Sequence, residues 1–296
     1  MSPQADPNTI IMVTLFKIAA LPLLVAGLVT LLSGKWVLTP EKPPFLRQGA
    51  TALAAALGFS AGYWALNGFN EFPPLLVQHW FPYFALAGFV LLSGAARLGL
   101  IAEGIAMALL VAGCLFLKLR PYIMNQWETA EAAAYLVPLF GVWLLLLFVG
   151  RGVVSDKNLP EIPLLLVIAM TAASLVIVMD GSASIGQAAG SMAAACGGIF
   201  LARLLVPHLG VGAPLRGTVL IVFGAMLLNG YFYVEAGHTT LILAALVPFA
   251  LLVYWVPGVK DWAVWKRGAL VCGVALLPLV IALVILATKP VESSYY

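Results

Sequence analysis

The sequence predicts an all-α polytopic membrane protein, one membrane domain over residues 1–296 with about ten transmembrane helices. Three observations carry that expectation. Hydrophobic residues make up 63% of the chain and charged residues 9%, with a mean hydropathy of +1.06, too little charge to cover a soluble protein of this size. Apolar runs of about 17–25 residues recur along the whole chain, the length a helix needs to cross roughly 30 Å of hydrocarbon. Those runs lack the apolar–polar alternation of a barrel strand, so their backbone polar groups must be paired within helices.

Breaking the chain at Pro, Gly and charge clusters places the spans near 10–34, 49–67, 80–96, 98–117, 134–150, 163–180, 185–206, 218–236, 239–257 and 269–287. The first span has no basic stretch before Ile10 and runs into "KWVLTPEKPP", an ordinary loop, so it reads as a membrane helix and not a signal peptide. The second, "GATALAAALGFSAG", is rich in small residues. Little except "AARLG" joins the third and fourth, and the topology requires them to be separate helices. Pro22, Pro138, Pro248 and Pro278 fall inside spans one, five, nine and ten and predict kinks.

Spans six and seven meet at "MDGSASIGQ". Gly181 ends the first helix in the usual way, while Ser184 and Gln187 have the spacing of a capping box, with Ser184 as N-cap. Beyond that turn Gly186, Gly190, Ala193 and Gly197 recur at steps of four, three and four, which aligns them on one helical face. A small-residue face lets helix backbones approach closely, the packing that holds helices together in lipid. Span seven is therefore expected to be a central helix lined by protein. "SASIG" comes within one residue of a serine-hydrolase elbow, but that motif requires a strand-to-helix turn.

Basic residues set the orientation. With the N-terminus outside, eleven fall at cytoplasmic ends or loops: Lys35, Lys42, Arg47, Arg97, Arg151, Lys157, Arg203, Arg216, Lys260, Lys266 and Arg267. Only Lys118, Arg120 and Lys289 fall outside, which by the positive-inside rule predicts N-out and C-out. Ten spans also accommodate a 5+5 inverted repeat, in which spans two and seven would be equivalents of opposite direction.

Few polar groups lie at membrane depth, where charge is costly and often functional. Lys17 falls about 10 Å below the outer surface and Glu103 about 7 Å above the inner one, so some 12 Å of depth separates them. Arg203 is near the level of Glu103, and Lys17 is nearer Asp180, Glu71 or Glu235 at the outer ends. The transport-path candidates are Lys17, Glu103, Asp180, Gln187 and Arg203, and the helix-packing candidates are Gly186, Gly190, Ala193 and Gly197. Cys114, Cys196 and Cys272 stand alone, and His79, His208 and His238 lie near span ends, so no metal, haem or other cofactor is assigned. No HExxH or phosphate loop occurs, and the chain is not expected to be an enzyme.

The resulting expectation is a secondary-transporter-like permease for a small solute in the plasma (cytoplasmic) membrane. A non-catalytic subunit or scaffold of a larger membrane complex is the alternative. The partners expected are the lipid bilayer and either further copies of the chain or other membrane subunits, with no nucleic acid.

Overall fold

A computed structural model describes residues 6–69, 71–148, 159 and 161–289. The described residues are helical, with no strand among them. Ten helices are long and apolar enough to cross a membrane: α1 (Asn8–Val37), α2 (Pro44–Asn67), α3 (Val77–Leu98), α4 (Leu100–Asn125), α5 (Thr129–Phe148), α6 (Ile162–Met179), α7 (Ala183–Leu205), α8 (Ala213–Tyr233), α9 (His238–Trp255) and α10 (Val264–Thr288). Arg151 and Lys157, two of the basic residues used for orientation, lie outside the described residues, as does the end of the fifth predicted span.

Several boundaries move, and each shift has a local cause. The third and fourth spans are separate helices joined by Gly99 alone, whose φ of +101° is a conformation other residues rarely adopt. The turn after α6 is closed by Gly181 at φ +117°, with the Gly181 and Ser182 amides returning to the Val178 and Ile177 carbonyls. The N-cap of α7 is Ser182 and not Ser184, and no side chain caps it. α4 runs on to Asn125, past Lys118 and Arg120, and α8 starts at Ala213, so that Lys118 and Arg216 lie inside helices and not in loops.

The prolines act where sequence places them. Pro22 has no N–H to give, and the turn before it, Phe16–Ala20, opens into π geometry around Lys17. In α9, Pro248 marks the change from α-helix to a nine-residue 3₁₀ segment, Val247–Trp255, long for a 3₁₀ run.

Glycine fixes the closest helix pairs. A Cβ on Gly198 of α7 would stand 2.2 Å from the Leu23 carbonyl oxygen and 3.0 Å from the Gly27 nitrogen of α1. One on Gly62 of α2 would stand 2.4 Å from Cγ of Pro22, and one on Gly58 would stand 2.8 Å from Cβ of Ala26. On the far side of α7, Gly186 faces Val178 and Ser174 of α6, where a Cβ would come within 2.1 Å of Val178. Thus α1, α2, α6 and α7 form one tightly laced group.

The most enclosed helix is α8, not α7. From Pro214 to Gly230 every residue but Leu227 is buried, and α8 packs on α2, α3, α4, α5, α6, α7 and α9. α5 sits outermost, against α4 and α8, and α10 packs on α6 and α9.

Gly198→Val is expected to force α1 from α7 and to lower stability by about 1–3 kcal/mol or more. Gly113→Ala, with no atom within 4 Å of the new Cβ, is expected to raise it by about 0.5–1 kcal/mol. Thermal unfolding in mild detergent reads both, and equal behaviour of the two variants would refute the packing account.

Candidate functional site

The helices alternate in direction, so their ends divide between the face that carries the N-terminus and the opposite face. Charge and polarity gather at three places on those faces.

The first lies on the N-terminal face, between α2, α3, α4 and α8. Lys118 of α4 is completely buried. Its ammonium donates to the Val77 carbonyl at 2.7 Å and stands 3.6 Å from the ring centroid of Phe81 and 5.5 Å from that of Phe84. No carboxylate lies within ion-pair distance of it among the described residues. A carbonyl dipole and two π faces are weaker company for a cation than an acid. Beside it, the Tyr63 hydroxyl lies 2.9 Å from Nδ1 of His79 and 3.0 Å from the Gln78 carbonyl. Tyr63 has one proton, so both contacts are satisfied when it donates to Gln78 and Nδ1–H of His79 donates to it. The Lys118 charge acts on the His79 ring through space. Tyr233 of α8 closes the group by donating to the Lys118 carbonyl at 2.6 Å. Ser60, one turn deeper than Tyr63 on α2, is buried and its Oγ has no hydrogen-bond partner among the described residues.

The other two places form a matched set. Glu161 stands just before α6, and Arg267 lies in the first turns of α10. On the opposite face Nε of Arg267 donates to Oε1 of Glu161 at 3.2 Å, and the hydroxyl of Tyr254, from the 3₁₀ part of α9, donates to the same oxygen. All three side chains are buried. On the N-terminal face Asp180, just after α6, pairs with Lys289 at the end of α10. The Gly237 amide donates to Oδ2 of Asp180 at 3.1 Å, and the Thr240 hydroxyl of α9 lies 3.1 Å from that oxygen. Each clamp therefore takes an acid from α6, a base from α10 and a hydroxyl from α9. The parallel helices α6 and α10 are tied at both ends, with antiparallel α9 held between them.

Among the predicted transport-path residues, Asp180 belongs to the second clamp and Arg203 lies near the first. Arg203 is buried, its Nε donates to the Leu209 carbonyl at 2.9 Å, and the carboxylate acting on it is Glu161. Glu103 is buried in the first turn of α4. Lys17 and Gln187 are half-buried on α1 and α7. Of the small residues, Gly186 faces α6 and Gly190 lies 3.2 Å, measured from its notional Cβ, from Ile18 of α1. Ala193 is buried, while Gly197 has only Val167 at 4.0 Å and the close approach falls to Gly198.

Sequence reasoning missed Lys118, Tyr63, Glu161, Tyr254 and Arg267. A signal existed for Lys118: Cys114, Lys118 and Tyr122 share a helical face, and apolar residues continue beyond the charge. Gly58–Gly62, "GFSAG", also fits the elbow pattern by its letters. It lies in the middle of α2 with Ser60 buried, not at the strand-to-helix turn that exposes such a serine. No group of three or more potential metal ligands occurs among the described residues.

Ten apolar helices of spanning length define an integral membrane protein. Comparison with protein-family models, curated proteins and solved structures finds no match to the chain.

Removing the Glu161 charge leaves Arg267 buried and unpaired by it, whereas Lys289 is 45% exposed in its pair. Glu161→Gln is therefore expected to cost about 3–5 kcal/mol and Asp180→Asn about 1 kcal/mol or less. Unfolding titrations in mixed micelles measure both, and equal losses would contradict the difference in burial.

Proposed function

We propose that the protein is a secondary-transporter-like permease for a small solute, with Lys118 at the solute path. The observation that carries this reading is Lys118 itself: an amino group fully enclosed between helices at the N-terminal face and held, among the described residues, by neutral groups. Charge in that position is costly, and a bundle with a purely mechanical role gains nothing evident from it. A solute with an anionic group would compete with the Val77 carbonyl for the ammonium. Tyr63 and His79, joined by a hydrogen bond in which Nδ1–H of His79 is the donor, place a titratable imidazole beside it for proton exchange.

The two clamps support the same reading. They close both faces around α9 with polar contacts that can break and re-form. The π turn at Lys17 and the 3₁₀ segment of α9 are places where helix geometry is already irregular. The close-packing glycines of α7, Gly186 and Gly198, face α6 and α1 within the chain and so are not free for another subunit. In this reading the N- and C-termini are outside, the membrane is the plasma membrane, and the two halves derive from an inverted repeat.

Lys118→Met keeps length and removes charge, so the variant is expected to fold with undiminished thermal stability and to lose transport at least tenfold. Proteoliposomes given a panel of labelled small carboxylates, amino acids and phosphate, with a trapped pH dye, read both solute and proton movement. Unchanged uptake by Lys118→Met would overturn the assignment. If the wild-type chain moves none of the panel and purifies with stoichiometric companions, the subunit reading replaces it.

Orientation has its own test. Glu71 and Lys42 are both exposed, on the N-terminal and the opposite face respectively. A membrane-impermeant maleimide is expected to label Glu71→Cys in intact cells and Lys42→Cys only after permeabilisation. The reverse pattern would invert the topology.

A further inference from the structure

A groove on the surface lies apart from the polar sites. It runs between α5 and α9, over α8, with a volume of about 340 Å³. Its floor exists because Gly224 has no side chain: a Cβ there would meet the Trp143 ring at 2.2 Å, and the indole lies across that position. The Trp143 Nε1–H donates to the Leu220 carbonyl at 3.3 Å, which satisfies its one polar atom. Leu227, the single unburied residue between Pro214 and Gly230, faces this groove. The walls include Leu139, Val142 and Leu146 of α5, and Ile242, Ala245 and Phe249 of α9.

One end is different. Tyr135, Tyr231 and His238 rim the groove at the N-terminal face, with Tyr231 stacked on His238 at 4.9 Å and Tyr135 stacked on Trp127 at 4.9 Å. Amphipathic rings of this kind settle at the level of lipid headgroups. From that rim the groove reaches Gly224 on α8 and Phe249 on α9, seven residues from Tyr231 and eleven from His238, or about 10–16 Å at 1.5 Å per residue. That is half of a hydrocarbon core of roughly 30 Å, one leaflet deep.

The groove is apolar along its walls and runs inward from an aromatic rim. A single hydrocarbon chain, with carbon contacts near 3.5–4.0 Å, fits. Water has almost no polar partner along the walls and does not fill such a space.

We propose that this groove is a binding site for one acyl chain of a bilayer phospholipid from the leaflet at the N-terminal face, with the headgroup at Tyr231 and His238. The site is independent of whether the protein transports a solute.

The test uses the full chain in liposomes containing a phosphatidylethanolamine with a diazirine midway along one acyl chain. Photolabelling is expected to saturate near one adduct per protein, on residues 135–146 and 241–249. Ala245→Trp and Ile242→Trp, which fill the groove from α9, are each expected to cut that labelling at least tenfold. Val280→Trp, on the 55% exposed outer side of α10, is expected to leave it unchanged. Ile242 is itself 61% exposed, so its replacement keeps the test available if Ala245→Trp disturbs folding. Labelling that rises linearly with lipid and spreads over the exposed faces of α1 and α10 would overturn the proposal. So would labelling undiminished in both filled variants, or displacement by a polyprenyl phosphate but not by excess unlabelled phosphatidylethanolamine.

Discussion

The arrangement of the bundle depends on the approach of the α1 and α7 backbones at Gly27 and Gly198. A Cβ on Gly198 would overlap the Leu23 carbonyl oxygen, so no other residue permits that spacing. In lipid there is no hydrophobic force between helices, and the gain comes from the number of atoms brought into contact. Pro22 then fills the space opposite Gly58 and Gly62, which brings α2 to the same pair. Gly186 seats α6 on the far side of α7. Once α6 is fixed, the positions of Glu161 and Asp180 at its two ends are fixed, and with them the attachment of α9 and α10.

The spans were legible because each break in the apolar pattern has a chemical cause that sequence displays. Gly99 and Gly181 are turns that only glycine makes easily, and Pro22 and Pro248 mark where helix geometry changes, whereas Pro138 and Pro278 lie inside continuous α-helices. The reading failed where charge was taken as a sign of a loop. Lys118, Arg216 and Arg267 are all inside helices, and for Lys118 and Arg267 partners from outside their own helices let the chain continue through them. Which face of α7 makes the tightest contact was equally hidden. Gly197 and Gly198 differ by one residue and about 100° of helix, and only the position of α1 decides between them. The clamps could not be read at all: Glu161 and Arg267 are 106 residues apart, and no local pattern links them.

Burial separates the charges into two kinds. Glu161 with Arg267, and Asp180 with Lys289, are acids and bases that neutralise each other and accept further hydrogen bonds from α9. Their cost of desolvation is offset locally, so they suit a role in holding the structure. Lys118 is different. Its partners are a carbonyl and two aromatic rings, and the nearest titratable neighbours include His79, which would share its sign if protonated. Among the described residues, neutral partners hold the Lys118 amino group with no acid to neutralise it.

These features place α9 between the two clamps and the apolar groove. One side of it is fastened to α6 and α10 through Thr240 at one end and Tyr254 at the other. The other side, toward α5, has no such fastening and forms a wall of the apolar groove. The helix changes from α to 3₁₀ between the two clamps, at Pro248, and a 3₁₀ segment rises about 2.0 Å per residue against 1.5 Å for α. Conversion of a few residues between the two forms would change the length of α9 by several tenths of an ångström per residue. Both clamps could not keep their present geometry through that change. A shift in α9 would therefore be felt at both faces and at the groove together, because one helix carries a contact to each.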